Sequence, residues 1–213
     1  MAIARVALSV KAFGRPSTVA VAYLDALIVA ALFALFFVTF VIRTFYIPSV
    51  SMVPTLQTGD VILVDEIAYR LRAPADGDVA VFDPPVYSGG NDFVKRVIGA
   101  PGDAIAITNG IVYRNGVALR EPYENEPPDY DLAISRYEIY VDGRPLDPRS
   151  AEVPPRPLWR APDRVPEGYY FLLGDNRNYS DDSHVWGFVQ RRRFVGPAFL
   201  VLWPLGRLRA LEK

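Results

Sequence analysis

A serine on a stiff segment and a lysine beside apolar residues are the side chains of this sequence that could pair as nucleophile and general base. Ser51 lies between Pro48 and Pro54, and each proline fixes its own φ angle and restricts the residue before it. A nucleophile must be held near its attack geometry, so such a segment suits one. The alternative interpretation is a linker whose serines are merely solvated.

Lys95 follows the apolar pair Phe93-Val94. Burial in such a setting lowers the pKa of a lysine from about 10.4, and a neutral lysine beside a hydroxyl is a competent general base. A strand lysine that extends to water is the competing interpretation. The two segments therefore indicate Ser/Lys chemistry without establishing it.

A third segment, Gly174–His184, is dense in polar side chains yet lies between an apolar run ending at Leu173 and another beginning at Trp186. Such a loop is either an exposed turn or a hydrogen-bonded support beside an active site. His184 is the single histidine of the chain, so a histidine-based proton relay has one candidate.

The composition excludes several classes of site. The 213 residues contain no cysteine and one histidine, which rules out a disulfide framework, a thiolate metal site, a cysteine nucleophile and a His-rich metal site. The formal net charge is −1 and Lys and Arg are scattered, so no nucleic-acid partner is expected.

The N-terminal region predicts a single membrane anchor. Residues 19–42 are apolar apart from Asp25 and Thr39, and about twenty such residues span a bilayer. The residues before this run include three basic and no acidic side chains: Arg5, Lys11 and Arg15. By the positive-inside rule, residues 1–18 form a cytoplasmic tail and 43–213 an extracytoplasmic domain.

A cleaved signal peptide is the alternative to an anchor. Ser49-Val50-Ser51 fits a small-x-small cleavage site shortly after the apolar run. The run is longer than the roughly 7–15 apolar residues of a signal-peptide core, which favours the anchor.

The rest of the chain predicts a mainly β, antiparallel domain, because short apolar runs alternate with Gly, Pro and Asp turns. Asn109-Gly110 and Asn115-Gly116 are favoured two-residue hairpin turns. Residues 122–166 hold ten of the nineteen prolines and predict a loop-rich insertion, within an inserted lobe of about 104–166. The strand candidates are Val61–Val64, Val79–Phe82, Phe93-Val94, Tyr169–Leu173 and Phe199–Trp203.

The anchor and the motif segments together resemble the bacterial type I signal peptidase (leader peptidase) family, serine endopeptidases with a Ser/Lys dyad. The segments that carry the resemblance are Pro48–Leu56, Lys95–Asp103 and Gly174–Ser183. The resemblance covers roughly half of the chain, and residues 104–166 add little to it.

The resemblance implies a role for each matching residue. Ser51 matches the nucleophile and Lys95 the general base. The Ser49 hydroxyl and the Ser51 backbone N–H match the oxyanion donors. Ser180 matches the residue that orients the lysine, and no metal or organic cofactor is implied.

The structural support around that site departs from the family at one position. Asp182 matches a structural carboxylate, with Arg177 nearby, but His184 stands where the family commonly has arginine. We expect His184 to replace that arginine as the partner of Asp182, which would make the support sensitive to pH. A Ser51/His184 pair is the alternative.

The resemblance also implies the substrate, a signal peptide on an exported preprotein, cleaved after small-x-small residues at the outer face of the bacterial inner membrane. The peptide could bind by strand addition to the edges near Ile47–Ser49 and Phe93–Lys95. The expected substrate-binding residues are Ile47, Pro48, Met52, Phe93 and Val94.

Three other functions remain open at this point. Self-cleaving repressor-type proteases use the same Ser/Lys fold but lack an anchor placed here. A specialised maturation peptidase of a secretion or conjugation system fits nearly as well as a general one. An inactive, membrane-tethered binding protein is opposed by the presence of Ser51, Lys95 and Ser180.

Overall fold

The computed structural model describes residues 18–86, 89–147, 151–152 and 154–212, in two compact units, Met1–Val41 and Ile42–Lys213. In the first unit, α1 covers Thr18–Phe40, and its described side chains, 19–35, are exposed. Within the described ranges, no helix combines the length and the apolarity that crossing a membrane requires. The basic residues predicted to flank the anchor lie outside these ranges, so the anchor stays a prediction.

The second unit is mainly antiparallel β-structure, as the sequence predicts. Its larger sheet has eight strands in the order β1-β2-β13-β3-β4-β11-β12, with β14 paired to β13. These strands are β1 Ile42–Tyr46, β2 Val61–Asp65, β3 Val79–Phe82, β4 Phe93–Gly99, β11 Tyr169–Leu173, β12 Val189–Gln190, β13 Phe194–Trp203 and β14 Arg209–Ala210.

A smaller sheet of six strands lies within the predicted lobe, in the order β10-β9-β8-β5-β6-β7. Its strands are β5 Ile105–Thr108, β6 Ile111–Arg114, β7 Val117–Ala118, β8 Leu132–Ser135, β9 Glu138–Val141 and β10 Arg144–Pro145. Asn109 and Asn115 adopt positive φ angles of 50° and 54°, as the predicted Asn-Gly turns require. The lobe therefore contains more strand than a loop-rich insertion would.

Two short helices complete the second unit, α2 at Ala68–Leu71 and α3 at Ser183–Trp186. Three apolar clusters hold the sheets together. One of them contains Met52 and Leu56, so the Ser51 segment is fixed to the core from its C-terminal side. Another contains Leu172 and Trp186, which fixes both ends of the polar Gly174–His184 loop.

Candidate active site

The Ser51 segment follows β1 as a series of tight turns. The Val53 N–H donates to the Val50 carbonyl at 3.1 Å, and the Leu56 N–H donates to the Met52 carbonyl at 2.7 Å. Ser51 is 7% exposed, and its Oγ lies 3.3 Å from the Ser49 Oγ. The Ser51 N–H makes no hydrogen bond within the described part of the chain, so it is available as a donor.

Lys95 lies in β4 and is buried, with 4% of its surface exposed. Burial lowers the pKa of its ammonium to about 8, against the opposing attraction of Asp182, Asp181 and Asp175. Its Nζ lies 5.9 Å from the centre of the Phe93 ring. The side chain is thus held in an apolar setting that favours the neutral amine.

Gly174 is the point where the three motif segments meet. Strand β11 pairs Leu172 with Val97 and Leu173 with Arg96, so the next pair in this register sets Gly174 opposite Lys95. A Cβ at Gly174 would lie 2.2 Å from the Ser180 Oγ and 2.4 Å from the Ser51 carbonyl oxygen. Directly opposed residues of an antiparallel pair point to the same face, about 5 Å apart at Cβ. Ser51 and Ser180 therefore surround a position that only glycine can occupy, and the register of β11 and β4 leads from it toward Lys95.

Ser180 is buried, and its hydroxyl is free to form a hydrogen bond. It is 5% exposed, and its Oγ has no hydrogen-bond partner among the described residues. No hydrogen bond joins the Lys95 ammonium directly to Ser51 among the described residues. Catalytic hydrogen bonds are often long without substrate and tighten in the complex, which fits this arrangement.

Asp182 connects the end of the polar loop to β11. Its carboxylate accepts a hydrogen bond from the Gly174 N–H at 2.9 Å and caps α3 by accepting one from the His184 N–H at 3.2 Å. The neighbouring Ser183 Oγ accepts a hydrogen bond from the Leu172 N–H at 2.9 Å. These contacts fix Asp182 and Ser183 against the end of β11.

The His184 ring lies 2.7 Å from the Asp182 carboxylate through Nδ1, so the structure pairs the two residues. A face of the ring stacks on Tyr130 from the lobe, with the ring centres 4.4 Å apart and the planes inclined by 13°. His184 therefore contacts Asp182 and Tyr130.

A buried ion pair joins the three motifs and was not among the predicted site residues. The Arg96 guanidinium donates to both oxygens of Asp175 at 2.8 Å, and both side chains are almost fully buried. The Thr55 hydroxyl donates to the same carboxylate. Tyr123 covers the guanidinium, whose carbon lies 3.7 Å from the ring centre.

The loop backbone is held by Arg177, which the sequence predicts as structural support, together with Glu121 and Asn176, which it does not identify as site residues. Arg177 donates to the Gly174 carbonyl at 2.9 Å and makes a two-bond ion pair with Glu121 at 2.8 Å. Asn176 donates to the Ser51 carbonyl through its N–H and to the Val50 carbonyl through its side chain, both at 3.1 Å. Asn176 lies within the Gly174–Ser183 motif segment, which was its signal in the sequence.

The expected substrate-binding residues divide into two groups. Ile47 and Met52 are core residues, 3% and 1% exposed, and both main-chain groups of Ile47 are bonded, to Asp60 and Gly59. Phe93 and Val94 are half-buried, and in the described sheet they pair with β3 on one side only.

The remaining expected contact, Pro48, is exposed.

A further strand can pair with the edge of β4 at Phe93-Val94, because these two residues pair only with β3 in the described sheet. The described residues bring no three metal-ligating side chains together.

A protein-family model described as "Signal peptidase, peptidase S26" matches residues 20–203. This match covers most of the chain, including all three motif segments. The chain belongs to the signal peptidase S26 family. It is a serine endopeptidase of that family.

Similar proteins agree with this assignment. The peptidase is 39% identical to "Probable signal peptidase I-1" of Synechocystis over 85% of its chain and 81% of the relative. It is 38% identical to signal peptidase I of Leptolyngbya laminosa, covering 81% and 74%, and 34% identical to that of Pseudomonas aeruginosa, covering 78% and 67%. A crystal structure of a signal peptidase I from Enterococcus faecalis is 30% identical, with a TM-score of 0.40, over 59% of this chain and 97% of that one. Family membership rests on the sequence matches.

Proposed function

We propose that the peptidase removes N-terminal signal peptides from exported preproteins, with Ser51 as nucleophile and Lys95 as general base. The observation that carries this proposal is the close packing around Gly174. Ser51 and Ser180 lie so near its Cα that no side chain fits there, and β4, which carries Lys95, pairs with the strand that ends just before it. The low pKa of Lys95, about 8, supplies a fraction of neutral amine near neutral pH.

In the first half of the reaction, the Ser51 Oγ attacks the carbonyl carbon of the scissile peptide while its proton moves to the Lys95 Nζ. The Ser51 N–H and the Ser49 hydroxyl donate to the oxygen that becomes negative. Lys95 then gives the proton to the leaving amine as the C–N bond breaks. The signal peptide remains as an ester on Ser51.

In the second half, water attacks the ester carbonyl and gives a proton to Lys95, which returns it to the Ser51 Oγ as the ester bond breaks. Ser180 orients the neutral amine throughout through its unpaired hydroxyl. The Asp182 carboxylate accepts a hydrogen bond from the Gly174 N–H, and Arg177 donates one to the Gly174 carbonyl. These two bonds keep Gly174 in place between Ser51 and Ser180.

The substrate binds as an extended strand along the open edge of β4 at Phe93-Val94. This position leads directly to Lys95. Ile47 contributes as a wall of the site rather than as a pairing edge, because its backbone groups are already bonded. Small residues near the cut would be selected because bulky side chains have no space against the buried Ser51 segment.

The anchor is part of the proposal. Residues 19–35 present exposed apolar side chains such as Leu27 and Phe33, 69% and 63% exposed, and the apolar sequence continues to Ile42. Such a surface is expected to lie in lipid. With the N-terminus in the cytoplasm, protease added to spheroplasts should digest the Ile42–Lys213 unit and spare an N-terminal tag, and the reverse pattern would refute this orientation.

The function is tested by incubating the detergent-solubilised peptidase with a preprotein and sequencing the new N-terminus. Cleavage after a small-x-small site that is lost in Ser51→Ala supports the proposal. A folded peptidase that binds the preprotein without cutting it would instead support the inactive binding protein. Cleavage restricted to one dedicated substrate would support a specialised maturation peptidase.

A further inference from the structure

Four arginines line one groove on the second unit, and most of them lack a carboxylate partner. The groove has a volume of about 480 Å³, and its basic residues are Arg43, Arg70, Arg191 and Arg192. Tyr69 and Phe194 are among the residues that form its apolar wall. We call this feature the arginine groove.

The charges in the arginine groove are poorly neutralised. Arg43 pairs with Glu66 at 3.3 Å, and this is the one ion pair that the groove arginines make in the described ranges. Asp92 lies close enough for the Arg43 charge to lower its pKa, although burial, the larger effect, raises it. The other three guanidinium groups make no carboxylate contact within the described ranges, which gives the groove a positive potential that attracts anions.

The groove is partly preorganised. Arg191 donates to the carbonyl oxygens of Tyr69 and Arg72 at 2.6 and 2.8 Å, so its position is fixed by backbone on one side. Its other N–H groups remain available. A guanidinium is planar and weakly hydrated, and its donors match the geometry of a phosphate.

The location of Arg43 in the chain indicates where that phosphate comes from. Arg43 follows Phe40, the last residue of α1, by three residues, a distance of at most about 10 Å in an extended chain. If α1 lies in the bilayer, as proposed above, Arg43 is at the level of the lipid headgroups.

We propose that the arginine groove binds the phosphate of an anionic phospholipid headgroup at the surface of the membrane. The bound lipid would hold the second unit against the bilayer through arginines on β1, on α2 and on the 3-10 turn Arg191–Arg193 that precedes β13. This inference rests on the proposed anchor and is separate from the chemistry at Ser51.

The test is native mass spectrometry of the full-length peptidase in detergent with added phosphatidylglycerol or phosphatidylcholine. We expect retention of phosphatidylglycerol over phosphatidylcholine, weakened about 25-fold in the double variant Arg70→Gln/Arg192→Gln, from about fivefold for each charge removed. The matched control is Arg120→Gln/Arg144→Gln, two exposed arginines of the lobe, which should bind as the wild type does.

Equal retention of both lipids, or an equal loss in the control variant, would overturn the proposal. Displacement of the lipid by millimolar inorganic phosphate would also overturn it, in favour of a free-phosphate site. Ser51→Ala should still bind phosphatidylglycerol, and Arg70→Gln/Arg192→Gln should still cleave a preprotein in detergent. These two results separate a failure of lipid binding from a failure of the proposed function.

Discussion

The Arg96 guanidinium donates two hydrogen bonds of 2.8 Å to the Asp175 carboxylate, inside a core from which water is almost fully excluded. Arg96 follows Lys95 in β4, and Asp175 follows Gly174, so this pair holds the two segments together beside the proposed general base. Its main contribution is to positioning, because a buried pair gains little net stability over a well-packed apolar one.

Removing one partner of that pair should nevertheless be costly. Asp175→Asn leaves the buried Arg96 charge without its counter-ion, which is expected to lower the free energy of unfolding by about 3–5 kcal/mol. Asp83→Asn is the matched control, since its pair with Arg193 is solvent-exposed and should cost at most about 1 kcal/mol. Denaturant unfolding measures both, and similar losses in the two variants would contradict the assignment.

Gly174→Ala should inactivate the peptidase. The added methyl group would overlap the Ser180 Oγ and the Ser51 carbonyl oxygen, so both catalytic segments must move. A displacement of about 1 Å is expected to lower kcat/KM about 100-fold. Gly206→Ala, whose Cβ would meet nothing within 4 Å, should leave kcat/KM unchanged. A fully active Gly174→Ala enzyme would contradict the close packing of Ser51 and Ser180 against Gly174.

The sequence predicts the local parts of this site well. Val79–Phe82 and Tyr169–Leu173 are strands with the predicted bounds, because their apolar runs end at turn residues that stop them. The Asn-Gly turns are equally local. Each of these features depends on neighbours within a few residues.

The connections between the parts could not be predicted in the same way. Arg96 and Asp175 are 79 residues apart, and Thr55 and Asp175 are 120 apart, so no periodic pattern relates them. The lobe strands β8 and β9 were missed because they are short and flanked by proline-rich segments, which a sequence reading assigns to loops. The ion pair between Glu121 and Arg177 could not be predicted for the same reason, since the two residues are 56 positions apart in the sequence.

The two candidate bases can be separated by substitution. Lys95→Ala should abolish cleavage, because it removes the buried amine whose lowered pKa suits it to act as the base. His184→Ala removes the Asp182 contact and should cost about 1–2 kcal/mol of stability while leaving substantial activity. His184→Arg should restore the stability. Loss of turnover in a folded His184→Ala enzyme, with Lys95→Ala still active, would show that the Ser/Lys assignment is wrong.

The buried Lys95 should destabilise the folded protein. Its pKa is lowered from 10.5 to about 8, so the unfolded state binds more protons between these pH values and stability should rise with pH across that window. Lys95→Met should therefore be more stable than the wild type by up to about 3 kcal/mol at neutral pH, a difference that shrinks toward pH 10.5. Unfolding free energies that stay equal in the two proteins would mean that Lys95 is not desolvated.

The pH dependence of kcat/KM on a preprotein substrate tests the central claim most directly, because this ratio reports the ionisation of the free enzyme. A general base with a pKa of about 8 predicts activity that falls away in mild acid and rises along a limb centred near that pH. The same limb should appear in His184→Ala, measured as the control. A limb near pH 6.5 that vanishes in His184→Ala, or a profile that is flat from mild acid to strong base, would contradict catalysis by a neutral Lys95.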